Sequence, residues 1–209
     1  MRRSKEVHLH IPAAEEFRRG YEAFRLHEAR DAMYKVATFL ISHFWGKYLK
    51  MSNALGVLLL TWNQGYYRYG GLNFDKLEKC LKNNFNAIEA FRRQEIFSLN
   101  ETHRATIIKF FQKLLEALKR KGTHKKSPVA VAKALHLLAP GFFPLWDDKI
   151  ARAYKCHYSK KPADKYILFC DKMKTIAQAV KNYDNIPNDV TILKLIDEYN
   201  YAKYTKNWI

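Results

Sequence analysis

Residues 127–154, SPVAVAKALHLLAPGFFPLWDDKIARAY, hold a close set of side chains that could do chemistry. Lys133 and His136 are the only polar residues in an otherwise apolar helical run, and a spacing of three puts them on one face. Asp147 and Asp148 follow and open the next helix. A carboxylate there feels the positive end of the helix dipole and tends to stay ionised. A buried amine beside a fixed negative charge could support nucleophilic or charge-stabilising chemistry. Each residue also has a plainer reading. Asp147 in cap position serves as an N-cap. Lys133 buries its stem and sends its ammonium to water. His136 is a hydrogen-bonded core histidine, and Trp146 is a plug in the core.

The elements that would position these groups follow from local signals. Ser127 then Pro128 is an N-cap followed by proline at the first helical position. Val129 to Leu138 is nearly all apolar, so this helix is buried on most sides. Pro140, Gly141 and Pro144 break it and hold the apolar loop FFPLW. Asp147 then caps a helix with Ile150, Ala151 and Tyr154 facing inward. Two basic runs flank the stretch, KRKGTHKK at 119–126, with Gly122 as a helix-end signal, and KCHYSKK at 155–161.

The rest of the chain has helical periodicity throughout. Helices are predicted from Pro12 to about Arg30, from an Asp31 cap to about Trp45, and from an Asn53 cap through ALGVLLLTWNQ, which is apolar all round. Residues 65–71 read as a loop by their glycines, with Tyr66, Tyr67 and Tyr69 around Arg68. Such a loop could stack bases and hold phosphates, or its rings could pack with only the hydroxyls in water. Further helices are predicted from an Asn73 cap to about Phe85, at 86–92, at 101–120, at about 163–182 and at about 189–204. Residues 1–11 are basic and predicted to be loose. His8 and His10 alternate there with Leu9, a poor metal site without further ligands. The prediction is a single all-α domain over 1–209 with about ten helices.

Composition narrows the function. The chain has 209 residues, 48% hydrophobic and 14% aromatic, so it can bury a sizeable core and is not a disordered chain. A net charge of +17 calls for an acidic partner, nucleic acid first and an anionic membrane surface second. Cys80, Cys156 and Cys170 follow no disulfide or zinc pattern, which fits a reducing cytoplasm. No apolar run is long enough to cross a bilayer, and no signal peptide is legible. No cofactor or metal is expected, and the chain is expected to be a monomer.

The order LLLTWNQ, then a long helix at 101–120, then AVAKALHLLAPGFFPLWDDKIARAY resembles the helix-hairpin-helix DNA glycosylases, the superfamily of endonuclease III and the 8-oxoguanine glycosylases. The resemblance covers roughly 53–155. It implies that Gln64, at the end of a buried helix, enters the duplex, that the basic segment 121–127 holds phosphates, and that Lys133 and Asp147 are the catalytic pair. The superfamily's Leu-Pro-Gly-Val-Gly hairpin is absent, Lys133 lies closer to Asp147 than the family spacing, and three cysteines cannot supply a four-cysteine iron–sulfur cluster. The implied activity is a DNA repair N-glycosylase that removes a damaged, flipped-out base. Asp147 would stabilise the positive sugar, and Lys133 would attack as an amine and give lyase activity. Gln64 and a tyrosine of 66–69 would fill the gap, Trp62 or Trp146 would stack on the base, and Arg68, Lys119, Arg120, Lys121, Lys125 and Lys126 would hold DNA.

Two other classes share the same charge. One is a non-enzymatic helical nucleic-acid-binding protein in which Asp147 only caps. The other is a helical adaptor whose basic face meets an acidic protein. An open pocket between the 53–64 helix and Asp147, lined by Lys133, distinguishes the enzyme from a binder with a filled core there.

Overall fold

The computed structural model describes residues 9–209, so His8 and most of the segment predicted to be loose lie outside the described residues. The described chain is all-helical and compact, with ten α-helices and no strand among the described residues. They are α1 (Ala14–His27), α2 (Asp31–His43), α3 (Tyr48–Trp62), α4 (Gln64–Tyr67), α5 (Phe74–Arg92), α6 (Glu101–Ala117), α7 (Pro128–Leu138), α8 (Asp148–Ala153), α9 (Pro162–Val180) and α10 (Ile192–Asn200). A 3-10 turn (Ile96–Ser98) precedes α6, and a π-helical turn (Tyr201–Lys206) continues α10.

The centre of the fold is α7. The Ser127 hydroxyl accepts from the Ala130 amide at 3.1 Å and Pro128 takes the first turn, as its sequence dictates. Every residue from Ala130 to Leu138 is buried, and α2, α3, α6 and α9 all pack on it. One hydrophobic cluster runs from Phe17 to Tyr199 through this helix. The C-terminal α10 lies on α1 so closely that a Cβ on Gly20 would sit 2.5 Å from the Tyr199 ring. α10 packs on α9 as well.

Several boundaries differ from expectation. Asp31 is the first residue of α2, not its cap; Arg30 holds the cap position without a side-chain bond. The reason is tertiary, since the Asp31 carboxylate lies 3.0 Å from the buried Lys194 ammonium. The inward face of α2 is Tyr34, Ala37 and Ile41, while Val36 is exposed. The third helix starts at Tyr48, after Gly46 with φ +81, so Asn53 is an interior position on its outer face. Residues 64–67 form one helical turn where a loop was expected. The Asn73 cap is present, but its helix runs unbroken to Arg92. The 101–120 helix ends at Ala117, and Gly122, φ +73, lies in the turn beyond it.

Candidate active site

A cavity of about 350 Å³ opens where the ends of α1 and α3 meet the first half of α7, the FFPLW loop, α8 and the C-terminal turn. Small-molecule sites span about 300–1,000 Å³. Phe24, Trp62, Val129, Leu145, Trp146 and Ile150 supply apolar walls, and Lys133, Asp147 and Asp197 are among the groups that supply charge. The cap at Ser127 and the break at Pro140 set the length of α7. The Asp147 cap then starts α8 beside it, which brings the lysine and the aspartate to one space.

The Lys133 side chain does not reach bulk water. It is 9% exposed, and its Nζ donates to the Trp62 carbonyl at 2.6 Å. Burial lowers its pKa to about 8, with Asp147 and Asp197 pulling the other way. Asp147 Oδ1 accepts from the Ile150 amide at 2.8 Å, and Oδ2 accepts from the Thr205 hydroxyl at 2.6 Å. Asp147 is therefore a helix cap and a cavity wall at once. Asp148 instead binds Arg152 at 2.7 Å, His157 at 3.0 Å and Tyr158 at 3.2 Å; the Arg152 hydrogen bond leads in holding its carboxyl below the usual range. His136 lies away from the cavity walls, between the Tyr34 hydroxyl at 2.9 Å and the Phe143 carbonyl at 2.8 Å. Burial pushes its pKa down to about 3, so it is a neutral core histidine.

Trp146 is only 1% exposed and is packed by Tyr158, Tyr166 and Phe169, with its indole N–H on the Pro128 carbonyl at 3.3 Å. Its ring is fixed in the core and one edge borders the cavity, so free stacking is not open to it. Trp62 is half-buried, stacked on Tyr34 at 5.6 Å, and faces the cavity. Gln64 is exposed; its neighbour Asn63, which bonds Ser127 at 3.2 Å, is the residue that lines the cavity. Of the three tyrosines expected to face a ligand, Tyr67 is buried and donates to the Leu118 carbonyl at 3.0 Å, because the segment is a helical turn with an inward side. Tyr66 spends its hydroxyl on the basic run, donating to the Lys125 carbonyl and accepting from the Arg120 amide at 3.0 Å. Tyr69 is 70% exposed beside Arg68.

The basic run 119–126 is a built turn. The Lys121 amide donates to the Gly71 carbonyl at 3.2 Å, and a Cβ on Gly70 would meet the Lys121 carbonyl at 2.6 Å. Arg120 is half-buried over Tyr66, with its guanidinium on the Tyr66 carbonyl at 3.3 Å, and Lys126 is paired with Glu116. Lys121 and Lys125 are exposed and Lys119 is half-exposed. The 155–161 run packs on Trp146 through Tyr158, and the 119–126 run ends two residues before Pro128, whose carbonyl accepts from the Trp146 indole N–H.

The C-terminal wall escaped the sequence reading. Asp197, Tyr201 and Thr205 recur every four residues on one face of α10 and its π-helical continuation, and all three line the cavity. Behind them Lys194 is fully buried, 3.0 Å from both Asp31 and Glu198 and over the Phe24 ring at 4.1 Å. The legible signal was the charge of KLIDEY inside an apolar pattern. Among the described residues no group of three metal-binding side chains comes together. Compared with known proteins, the chain matches no family model, no curated protein and no solved structure.

Proposed function

We propose that the protein is a DNA repair N-glycosylase that takes a damaged base into the cavity and cleaves its bond to the sugar. The observation that carries this reading is an open cavity of about 350 Å³ lined by both a buried lysine and the Asp147 carboxylate. A purely nucleic-acid-binding role leaves that space, and the cost of burying an amine in it, without a task. A flipped base would stand against Trp62. The Asp147 carboxylate would face the positive charge that develops on the sugar. The unprotonated Lys133 amine would attack C1′. The new N–C bond forms as the bond to the base breaks, and the electron pair leaves with the base, which takes up a proton. Ring opening then gives a Schiff base and allows strand cleavage. Lys119, Lys121 and Lys125 are suited to hold phosphates, and the exposed Gln64, Arg68 and Tyr69 to meet the gap left by the base.

The test is a panel of duplexes each carrying one altered base, such as uracil, hypoxanthine, 8-oxoguanine or 7-methylguanine. Wild type releases at least one base, and Asp147→Asn abolishes the release while folding and duplex binding persist. The amide keeps the capping oxygen and the Thr205 hydroxyl can turn to accept, so the stability cost is a few tenths of a kcal/mol, roughly. Lys133→Gln loses strand cleavage. No release of any base by wild type defeats the reading.

A further inference from the structure

Four carboxyls line the cavity, and of these Glu28 is paired with Arg30, Asp148 with Arg152 and Asp147 with the α8 amide and Thr205, which leaves Asp197. It lines the cavity from α10, is 7% exposed, and among the described residues its carboxyl makes no hydrogen bond and no ion pair. A carboxyl with little solvent and no donor on it favours its protonated form, and its oxygens are free to meet a ligand in the cavity. Asp147, across the same space, has both oxygens occupied. Two carboxyls in one site with such different surroundings commonly divide an acid role from a charged one.

We propose that Asp197 is the general acid of the site and delivers the proton that the departing base requires. This rests on the glycosylase reading above. The Asp197 O–H bond breaks as an N–H bond forms on the base. The electron pair of the C1′–base bond goes to the base, and the negative charge stays on Asp197. Burial raises the Asp197 carboxyl to about 7, against the pull of Lys194, with Asp147 and Glu198 adding to the rise and Lys133 opposing it. Glu28 and Arg30 face the cavity from the α1–α2 link, paired with each other at 2.7 Å. An acid with a pKa near the working pH is the efficient one.

The test uses the full chain on the duplex whose base wild type releases. Asp197→Asn should slow base release by about 10²–10⁴-fold, the usual worth of a general acid, while affinity for a duplex with an abasic site is unchanged. In wild type the pH profile is a bell. The amine is free only above about 8 and Asp197 is protonated only below about 7, so the rate is highest between the two, falling toward acid below about 7 and toward alkali above about 8. The variant keeps the acid-side limb and loses the alkaline one. Wild type with no alkaline limb, or a variant that releases base at the wild-type rate, overturns the proposal while the glycosylase reading stands. So does a variant that loses abasic-site affinity in step with rate. A wild type that releases no base removes both. The wild-type profile needs no substitution, so it decides the matter even if the variant folds poorly.

Discussion

At the scale of single residues, burial decides what each ionisable group can do. Lys133 has its pKa lowered to about 8, so the folded state resists its protonation and the unfolded chain does not. Its contribution to stability is present at high pH and is lost as pH falls from the ordinary lysine value through about 8. Lys133→Met should therefore raise stability more at pH 7 than at pH 10. The gap between the two proteins should narrow by roughly 2 kcal/mol over that range, measured by urea unfolding. A constant gap would mean that Lys133 is well solvated. Asp197 has the opposite sign. Its raised pKa gives stability that is present below the ordinary aspartate value and lost as pH rises through about 7, so Asp197→Asn should fold at least as well as wild type at pH 8. His136 illustrates the same force without any role in the cavity. Its two ring nitrogens are both satisfied, and desolvation, with the Lys194 charge adding to it, makes it neutral.

At the scale of elements, what was legible in the sequence was what neighbouring residues decide. Ser127-Pro128, Asn73 and Asp147 all cap as their types predict, because a cap bonds only to its own first turn. The Lys133–Asp147 half of the cavity was legible for that reason, being two caps and one proline-rich break apart. The start of α3 was missed because Asn53 has the chemistry of a cap, yet Gly46 sets the boundary earlier. The Asp197–Tyr201–Thr205 wall was missed because burial of α10 is a tertiary fact. Lys194, Asp197 and Glu198 look like a solvated face until Asp31, Arg25 and Phe24 are brought against them. That packing has a testable weak point at Gly20. A Cβ there would lie 3.0 Å from the Tyr199 Cα as well as 2.5 Å from its ring, so α1 and α10 must separate. Gly20→Ala should destabilise by about 1–3 kcal/mol in chemical unfolding, despite the better helix propensity of alanine. A more stable variant would show that the two helices are not pressed together.

At the scale of the whole molecule, the charge of +17 is the feature that composition alone exposes. No helix among the described residues is long and apolar enough to cross a membrane. Duplex binding should weaken about 10³–10⁵-fold between 50 and 200 mM salt if roughly 6–10 phosphates are neutralised. Exchanging Lys119, Lys121 and Lys125 for glutamine should flatten the logarithmic salt slope by about 3, near one unit for each phosphate contact. Arg120 and Lys126 belong outside that set, since the Arg120 guanidinium donates to the Tyr66 carbonyl at 3.3 Å and Lys126 is paired with Glu116. An unchanged slope would move the footprint to the 155–161 run. Binding, however, is common to every reading of so basic a chain, and only covalent chemistry at the cavity singles out the one advanced here. The decisive measurement is borohydride reduction of the protein with single-lesion and abasic-site duplexes, followed by peptide mass mapping of the trapped complex. The account predicts a covalent adduct on Lys133, absent in Lys133→Gln. No adduct on any substrate, or an adduct carried by an exposed lysine of the basic runs, would contradict it.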